Sequence, residues 1–402
     1  MKKIPSTTKL IIGIAPLFLG SGIFGVTSPT FLMSIGAGAD VLGSASSLGL
    51  ILAVLFSPFF GRLGRRFSNR NATFTCLVIN ALTVFLCVLF PSVTSFTICR
   101  AVLRFVPTCA AVCSYAYLIN MSDGDTARSR AMVAMSTLSI SLPTLGYLVG
   151  GFLAERSPIL SFTVEACLML FTTPLILMAE KDKPSLESLG SIVSIVKQEN
   201  PITAFYRCVK CAPKGLMLFF LLLALISLGY TAFDQSFNYH LQATLNLSAS
   251  YSGIVRCVIG AAAILTNFTL VMWVVKRFNG ASSIFIATAI CAAASLLSVL
   301  LDTRLSFICF GALFYIVINI ALSLQQKIFG DLVAGNNSEL MTANSNVVDN
   351  LASAIAAYAA GMIYEVNPSY PFYLGAAAFF LAAFIAILLF KRTGSRAKAS
   401  AD

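Results

Sequence analysis

Long apolar runs recur along the chain, each near the roughly 20 residues that a helix needs to cross a bilayer. Twelve runs are separated by polar segments, most of them short. They cover residues 10–33, 41–60, 72–90, 95–120, 131–154, 158–179, 216–240, 250–275, 281–301, 304–328, 340–364 and 370–390. The pattern predicts an all-α integral membrane protein with twelve transmembrane helices.

The longest polar segment divides these runs into two sets of six. We therefore predict an N-terminal bundle over 1–180, a linker over 181–215, a C-terminal bundle over 216–392 and a tail over 393–402. Part of the linker, 184–200, mixes apolar and charged residues. That mixture fits either an amphipathic helix on the membrane surface or a flexible connection.

Composition excludes a water-exposed globular domain, because 58% of the residues are hydrophobic and only 11% are charged. Soluble proteins carry about a quarter charged residues. The net charge of +11 is attributed to basic loops and not to nucleic-acid binding. The run 10–33 is too long for the apolar core of a signal peptide, so it is predicted to be the first span.

The distribution of basic residues predicts the orientation. With the N-terminus in the cytoplasm, 22 of the 27 lysines and arginines lie in cytoplasmic segments, and only Arg156 and Arg304 lie in outer loops. Cytoplasmic loops of membrane proteins are enriched in these residues. Both termini are therefore predicted to be cytoplasmic, and the compact loops suggest a bacterial inner membrane.

Metal and cofactor chemistry is not expected. Most of the eleven cysteines lie inside apolar runs, where cysteine is a small buried hydrophobe. One C-x-x-C pair, Cys208 and Cys211, and one histidine, His240, fall short of the four ligands of a structural zinc site. No nucleotide-binding loop or catalytic triad spacing is present, so we predict neither an enzyme nor an ATP-driven pump.

The two sets of six resemble each other. Segment 44–49, Ser-Ala-Ser-Ser-Leu-Gly, opens the second run, and segment 248–253, Ser-Ala-Ser-Tyr-Ser-Gly, opens the eighth. Arg65-Arg66-Phe67 follows the second run and Lys276-Arg277-Phe278 follows the eighth. Parallel halves of this kind are typical of transporters that bind substrate between the halves near the membrane midplane.

The segment after the second run resembles a motif of the major facilitator superfamily, G-x-L-x-D-R-x-G-R-R. Four residues match the motif: Gly61, Leu63, Arg66 and Arg70. The segment also contains the basic residue Arg62. The aspartate of the motif is Arg65 here and its second glycine is Ser68. The resemblance implies a gating role for this segment, with a charge network that differs from the family's.

The fifth run resembles the G-P-x-x-G-G motif of exporters in that superfamily. It contains Gly146, Gly150 and Gly151, with Tyr147 in place of the proline. The fourth run carries Arg100, as helix four of the family does. The resemblance implies the drug/proton antiporter branch, with export of small organic molecules driven by protons. The glycine spacing is equally expected for close helix packing.

Ionisable residues inside the spans are costly and are therefore functional candidates. Asp349 lies near the middle of the eleventh run, and Asn346 and Asn350 share its face. We predict that Asp349 carries the coupling proton, with Asp234 and Glu165 as alternatives.

Arginines within the spans provide the opposite charge. Arg100 and Arg104 are four residues apart and share one helix face, and Arg256 is early in the eighth run. Arg100 or Arg104 could stabilise the coupling carboxylate or bind an anionic substrate. A structural ion pair, for example between Glu165 and an arginine, is the alternative.

Aromatic residues in spans one, four, seven and ten, together with Asn346, are candidates for the wall of an apolar substrate cavity. They are Phe24, Phe105, Tyr115, Phe237, Tyr239, Phe314 and Tyr315.

The sequence thus predicts a monomeric secondary transporter in a lipid bilayer that exports a drug, sugar, siderophore or other metabolite. A proton symporter for uptake of a metabolite or organic anion is the alternative, and a transporter-like receptor is the alternative from another class.

Overall fold

The computed structural model describes residues 5–122, 124–182, 217–266, 269, 280–301, 303–333 and 338–399. Apart from residues 181 and 182, the predicted linker therefore lies outside the described residues. The C-x-x-C pair lies entirely outside them. All described elements are helical. Twelve helices among them are long and apolar enough to cross a membrane, which confirms the predicted all-α fold with twelve spans.

The twelve helices follow the predicted order. They are α1 (Ser6–Ser34), α2 (Ala39–Phe67), α3 (Asn69–Leu89), α4 (Val93–Met121), α5 (Asp125–Arg156), α6 (Pro158–Thr172), α7 (Met217–Tyr239), α8 (Ala249–Thr266), α9 (Gly280–Leu300), α10 (Arg304–Val333), α11 (Ser338–Val366) and α12 (Tyr370–Ala399). A short helix, Pro174–Leu177, extends α6, and a π-helical turn, His240–Thr244, extends α7.

Helices are the expected solution for this composition, because an apolar medium offers the backbone no hydrogen-bond partners outside the chain. Local sequence sets several helix ends. Ser92 caps α4 by accepting a hydrogen bond from the backbone N–H of Ser95, whose hydroxyl accepts from the Ser92 N–H in return. Ser157 caps α6, which starts with Pro158 at a position where no N–H is needed.

The chain forms two compact units. The first contains Met1–Tyr206 together with Asn246–Cys257, and the second contains Arg207–Leu245 and Val258–Asp402. The beginning of α8 therefore belongs with the first six helices, although the sequence division placed it in the C-terminal bundle.

The same helix pairs pack in both units. In the first unit α1 packs on α5 and α6, and α3 packs on α4 and α6. In the second unit α7 packs on α11 and α12, and α9 packs on α10 and α12. Each pair of the second unit is a pair of the first shifted by six helices. The internal repeat in the sequence thus has a structural counterpart.

Glycines bring α1 and α5 almost into backbone contact. A Cβ added to Gly146 would lie 2.1 Å from the carbonyl oxygen of Leu19, and one added to Gly22 would lie 2.1 Å from that of Pro143. Gly150 likewise faces the backbone of α1 at Ile23. These glycines act as small residues that allow close helix packing.

The neighbouring glycine, Gly151, faces the opposite side of α5. A Cβ there would lie 2.7 Å from the carbonyl oxygen of Ala249 and 3.1 Å from the Cα of Gly253, both in α8. Consecutive glycines thus serve two different helix contacts within the first unit.

The second unit has an aromatic core centred on Phe233. Its ring stacks on Phe314 at 3.8 Å and on Phe237 at 5.6 Å between centroids. Phe237 and Phe314 are both 0% exposed, so in this structure they belong to helix packing and not to a cavity wall. In the first unit Phe24, 1% exposed, is similarly stacked on Phe96 and Phe162.

We predict that Gly146→Ala destabilises the protein by about 2 kcal/mol, because the added methyl group forces α1 and α5 apart. The thermal unfolding midpoint of the purified protein measures the effect. Val149→Ala, a change at a 40% exposed position of the same helix, serves as the control and should leave the midpoint nearly unchanged. Equal midpoints for the two variants would contradict the proposed close contact.

Candidate functional site

Two hydrogen bonds join the polar faces of α7 and α11. Ser227 Oγ donates a short hydrogen bond to Asp349 Oδ1. One helical turn further, Thr231 Oγ1 donates to Ser353 Oγ at 3.0 Å. Ser227 and Thr231 are four residues apart on α7, and the residues they bind are four apart on α11. The two hydrogen bonds therefore lie one helical turn apart between the same two helices. Two residues of the polar stripe on α11, Asp349 and Ser353, therefore face α7.

A polar chamber of about 190 Å³ adjoins Asp349. It lies between the beginning of α7, the end of α10 and the beginning of α11. Nine residues line it: Phe219, Leu223, Leu322, Gln325, Gln326, Phe329, Ser345, Asn346 and Asp349. Two of the predicted site residues, Asn346 and Asp349, are thus brought together at a cavity.

Asp234 lies on α7, two helical turns beyond Ser227. Its carboxylate oxygen Oδ1 accepts a hydrogen bond from the hydroxyl of Tyr315 on α10 at 2.8 Å. Tyr315, predicted as a cavity residue, is 7% exposed and so binds this carboxylate from a largely buried position.

Glu165 is enclosed by the first unit. The residue is 1% exposed, and neither carboxyl oxygen has a hydrogen-bond or ion-pair partner among the described residues. A Cβ at Gly20 would lie 2.9 Å from Glu165 Oε1, so the absence of a side chain at Gly20 makes room for the carboxyl group. The structural ion pair suggested for Glu165 is therefore not formed with any arginine whose side chain the structure describes.

Arg100 and Arg104 occupy the same face of α4. Arg100 Nε donates to Ser46 Oγ of α2 at 2.9 Å, and its guanidinium lies 5.5 Å from the ring centroid of Phe24. Arg104 sits at the α2–α4 crossing, where its Cβ would be 2.7 Å from a Cβ added to Gly49. Both arginines thus contribute to the contact between α2 and α4.

Arg256 in α8 is 5% exposed and lies 4.9 Å from the ring centroid of Tyr147 in α5. Tyr147 stands where the exporter motif has proline. A cation over an aromatic face is stabilised electrostatically. The departure from the motif therefore provides a partner for a buried arginine.

The segment with the predicted gating motif is helical and not a loop. Helix α2 continues to Phe67, and Asn69 already begins α3, so Ser68 alone separates them. The side chains of Gly61, Arg62, Leu63 and Arg66 lie outside the described residues. Ser68 has a φ of 126°, a conformation that glycine adopts more easily than serine. This backbone requirement explains why the motif has glycine at this position.

Asp182, which follows α6 and its extension, binds this junction. Its carboxylate accepts hydrogen bonds from Ser68 Oγ at 2.5 Å, from the N–H and Nδ2 of Asn69 at 2.9 Å each, and from the N–H of Arg70 at 3.2 Å. The carboxylate therefore caps the first turn of α3, where negative charge is favoured. Burial raises the pKa of Asp182, but these hydrogen bonds outweigh it and hold the pKa below its usual range.

Arg70 binds the same end of the unit from the other direction. Its Nη1 donates to the carbonyl oxygens of Leu177 at 3.1 Å and Ala179 at 2.8 Å. A cation at the carbonyl end of a helix complements the helix dipole. Asp182 and Arg70 together tie the α2–α3 junction to the end of α6.

The remaining predicted cavity residues lie in different surroundings. Phe105 packs edge-to-face on Phe56 at 5.7 Å, and Tyr239 does so on Tyr364 at 5.2 Å. Tyr115 packs, partly buried, against the core of the first unit. None of these three lines the polar chamber.

Sequence reasoning missed Ser227, Gln325 and Asp182. Ser227 and Thr231 have the same four-residue spacing as Asp349 and Ser353, a signal that could have paired the helices. Asp182 carried no such signal, because its partners are 112 to 114 residues away in the chain.

We predict that Asp182→Asn lowers the free energy of unfolding at pH 7 by about 2 kcal/mol, since hydrogen bonds to a charged group are lost. Because the folded-state pKa is lowered, this stabilisation is present above the ordinary value of about 4 and is lost as the pH falls through the lowered pKa. The difference between wild type and variant should therefore shrink on acidification below about pH 4. Unfolding midpoints across that range measure it.

Glu180→Gln is the matched control, because Glu180 is exposed and two residues from Asp182. It should change the midpoint little at any pH. A difference between Asp182→Asn and wild type that stays constant with pH would show that the charge of Asp182 contributes nothing.

Solved structures of other transporters share the fold of this chain. A crystal structure of the human organic anion transporter MFSD10 (TETRAN) aligns with a TM-score of 0.64 at 15% identity, covering 96% of this chain and 100% of that one. Crystal structures of the nucleoside transporter NupG, one of them of a mutant, align with a TM-score of 0.73 at 14% identity, covering 96% of this chain and 100% of theirs. At such identities these likenesses show the fold alone.

A search of curated protein sequences finds no match. The family model for the Major Facilitator Superfamily, however, matches residues 10–329, well over half of the chain. With twelve membrane-spanning helices in a repeated pattern of six, the protein belongs to the major facilitator superfamily and is a multi-pass membrane transporter of small molecules, not an enzyme.

Proposed function

We propose that this transporter is a proton-coupled exporter of small organic molecules in which Asp349 binds the coupling proton. The observation that carries the proposal is the position of Asp349. It lies in a membrane-spanning helix, adjoins the polar chamber, and accepts a hydrogen bond from the neutral hydroxyl of Ser227.

A carboxylate in such a position can change its charge during the transport cycle. Its affinity for a proton depends on burial and on nearby charges, both of which change when a transporter alternates between two states. Within the second unit, Asp349 borders a chamber that is lined in part by polar side chains. Ser227 and Thr231 link the charge of Asp349 to the packing of α7 against α11.

Asp234 and Glu165 remain the alternative proton sites. Asp234 is bound by Tyr315, whose phenol can stabilise a charged carboxylate. Glu165 is enclosed in the core of the first unit, has no hydrogen-bond partner among the described residues, and does not line the chamber. Asp349 combines a polar neighbour with a cavity, which favours it over both.

The direction of transport and the orientation are also part of the proposal. The excess of lysine and arginine on one side supports cytoplasmic termini, in a bacterial inner membrane, and the glycine pattern of α5 supports export. The chain is proposed to act as a monomer. The named substrates of the structurally similar transporters, an organic anion and a nucleoside, do not select a substrate here.

We predict that an imposed pH gradient drives substrate movement in proteoliposomes containing the wild-type protein. Asp349→Asn should abolish this drive, because the amide cannot exchange a proton at the carboxylate position. Substrate exchange without a gradient should persist in the variant, since the rest of the fold is retained. The measurement is the flux of a panel of small organic molecules with and without the gradient.

Glu365→Gln, which removes an exposed carboxylate from the far end of the same helix, is the control and should retain gradient-driven flux. Wild-type flux indifferent to the gradient would refute proton coupling. Full gradient drive in Asp349→Asn would leave coupling possible but assign it to another residue.

A further inference from the structure

Gln325 lines the polar chamber beside Asp349 and carries a buried hydrogen-bond acceptor. Gln325 is 9% exposed, and its Oε1 has no hydrogen-bond partner among the described residues. A buried polar atom without a partner costs free energy. Since Gln325 lines the chamber, a hydrogen-bond donor within the chamber would remove that cost.

The charge carried by the nine residues that line the chamber is negative. Asp349 is the single ionisable group among its nine lining residues, and no lysine, arginine or histidine of the described residues lines it. Gln325 Oε1 lacks a donor among the described residues, and Asp349, whose Oδ1 accepts from Ser227, can accept further hydrogen bonds as a carboxylate. A group that presents several N–H donors and a positive charge would satisfy both, whereas an anion would meet an acidic wall.

The size and the apolar part of the chamber limit the ligand further. The chamber, about 190 Å³ in volume, suits a compact organic group. Leu322 and Phe329 are partly exposed and form an apolar wall, and the ring of Phe329 is held by stacking on the buried Phe219, with centroids 5.6 Å apart. A small ring or short alkyl chain fits against this wall while its charged end reaches Asp349.

We propose that the chamber is a binding subsite for compact organic cations, in which a protonated amine donates to Asp349 and to Gln325 Oε1 and its carbon part packs on Leu322 and Phe329. This proposal names a substrate class and so rests on the proposed transport function. Asn346 and Gln326 provide further polar groups at the rim and in the wall of the subsite.

Three molecules with one ring and different head groups test the proposal: benzylammonium, benzyl alcohol and benzoate. Binding to the purified full chain in nanodiscs is measured by ligand-observed NMR, with protein-free nanodiscs subtracted. Benzylammonium should bind at least about tenfold more tightly than the other two, a ratio equivalent to about 1.4 kcal/mol. Equal binding of benzyl alcohol, or tighter binding of benzoate, would overturn the proposal.

Variants of the residues that line the chamber test where benzylammonium binds. Asp349→Asn should weaken benzylammonium binding at least about tenfold. Gln325→Leu should weaken it severalfold, and Gln325→Glu, which adds a second carboxylate, should strengthen it. Glu365→Gln should leave it unchanged. Unchanged affinity in Asp349→Asn, or in both Gln325 variants, in protein that elutes as a single folded species would place the cation elsewhere and overturn the proposal.

This experiment is independent of proton coupling because it involves no gradient and no transport. Cation binding at the chamber without gradient-driven flux would refute the proposed coupling and leave the subsite standing. Gradient-driven flux lost in Asp349→Asn, without preference for the cation, would refute the subsite and leave the coupling standing.

Discussion

The cost of a polar group without a partner inside an apolar helix bundle governs most of what is specific to this protein. Only 11% of the residues are charged, and several of those inside the spans meet particular neighbours. Asp349 meets Ser227, Asp234 meets Tyr315, and Arg256 meets the ring of Tyr147. Neutral hydroxyls and aromatic faces stabilise a charge less strongly than an opposite charge would.

Close backbone packing is the second constraint, and it follows from the same medium. Lipid supplies no hydrophobic force between helices, so association depends on contact and hydrogen bonding. Gly22, Gly146 and Gly150 allow α1 and α5 to approach, and Gly151 and Gly253 do the same for α5 and α8. Helix packing in the first unit therefore fully explains the glycine motif of α5 that resembles the exporter motif. A role in the direction of transport would be additional to this packing role.

The α2–α3 junction differs from the family motif in sequence, but charged side chains still bind it. The family motif has aspartate where this chain has Arg65 and glycine where it has Ser68. Here Ser68 adopts the glycine-like φ and its hydroxyl binds Asp182, a carboxylate that comes from the end of α6. The same carboxylate caps α3, while Arg70 holds the carbonyls of Leu177 and Ala179. The acidic partner of the junction is thus supplied from a distant part of the sequence.

The sequence by itself determined the twelve helices, their order and the repeat of six, because the length and polarity of each run depend on the bilayer and not on neighbouring helices. It also singled out Asp349 and its polar stripe, since a charge within a span is conspicuous. Tertiary structure decided what each of these groups touches. It put Gln325 beside Asp349, buried Phe237 and Phe314 in a core, enclosed Glu165 without a hydrogen-bond partner among the described residues, and brought Asp182 to Ser68. These contacts join residues far apart in the chain, and helix periodicity records which face a residue occupies but not which helix that face will meet.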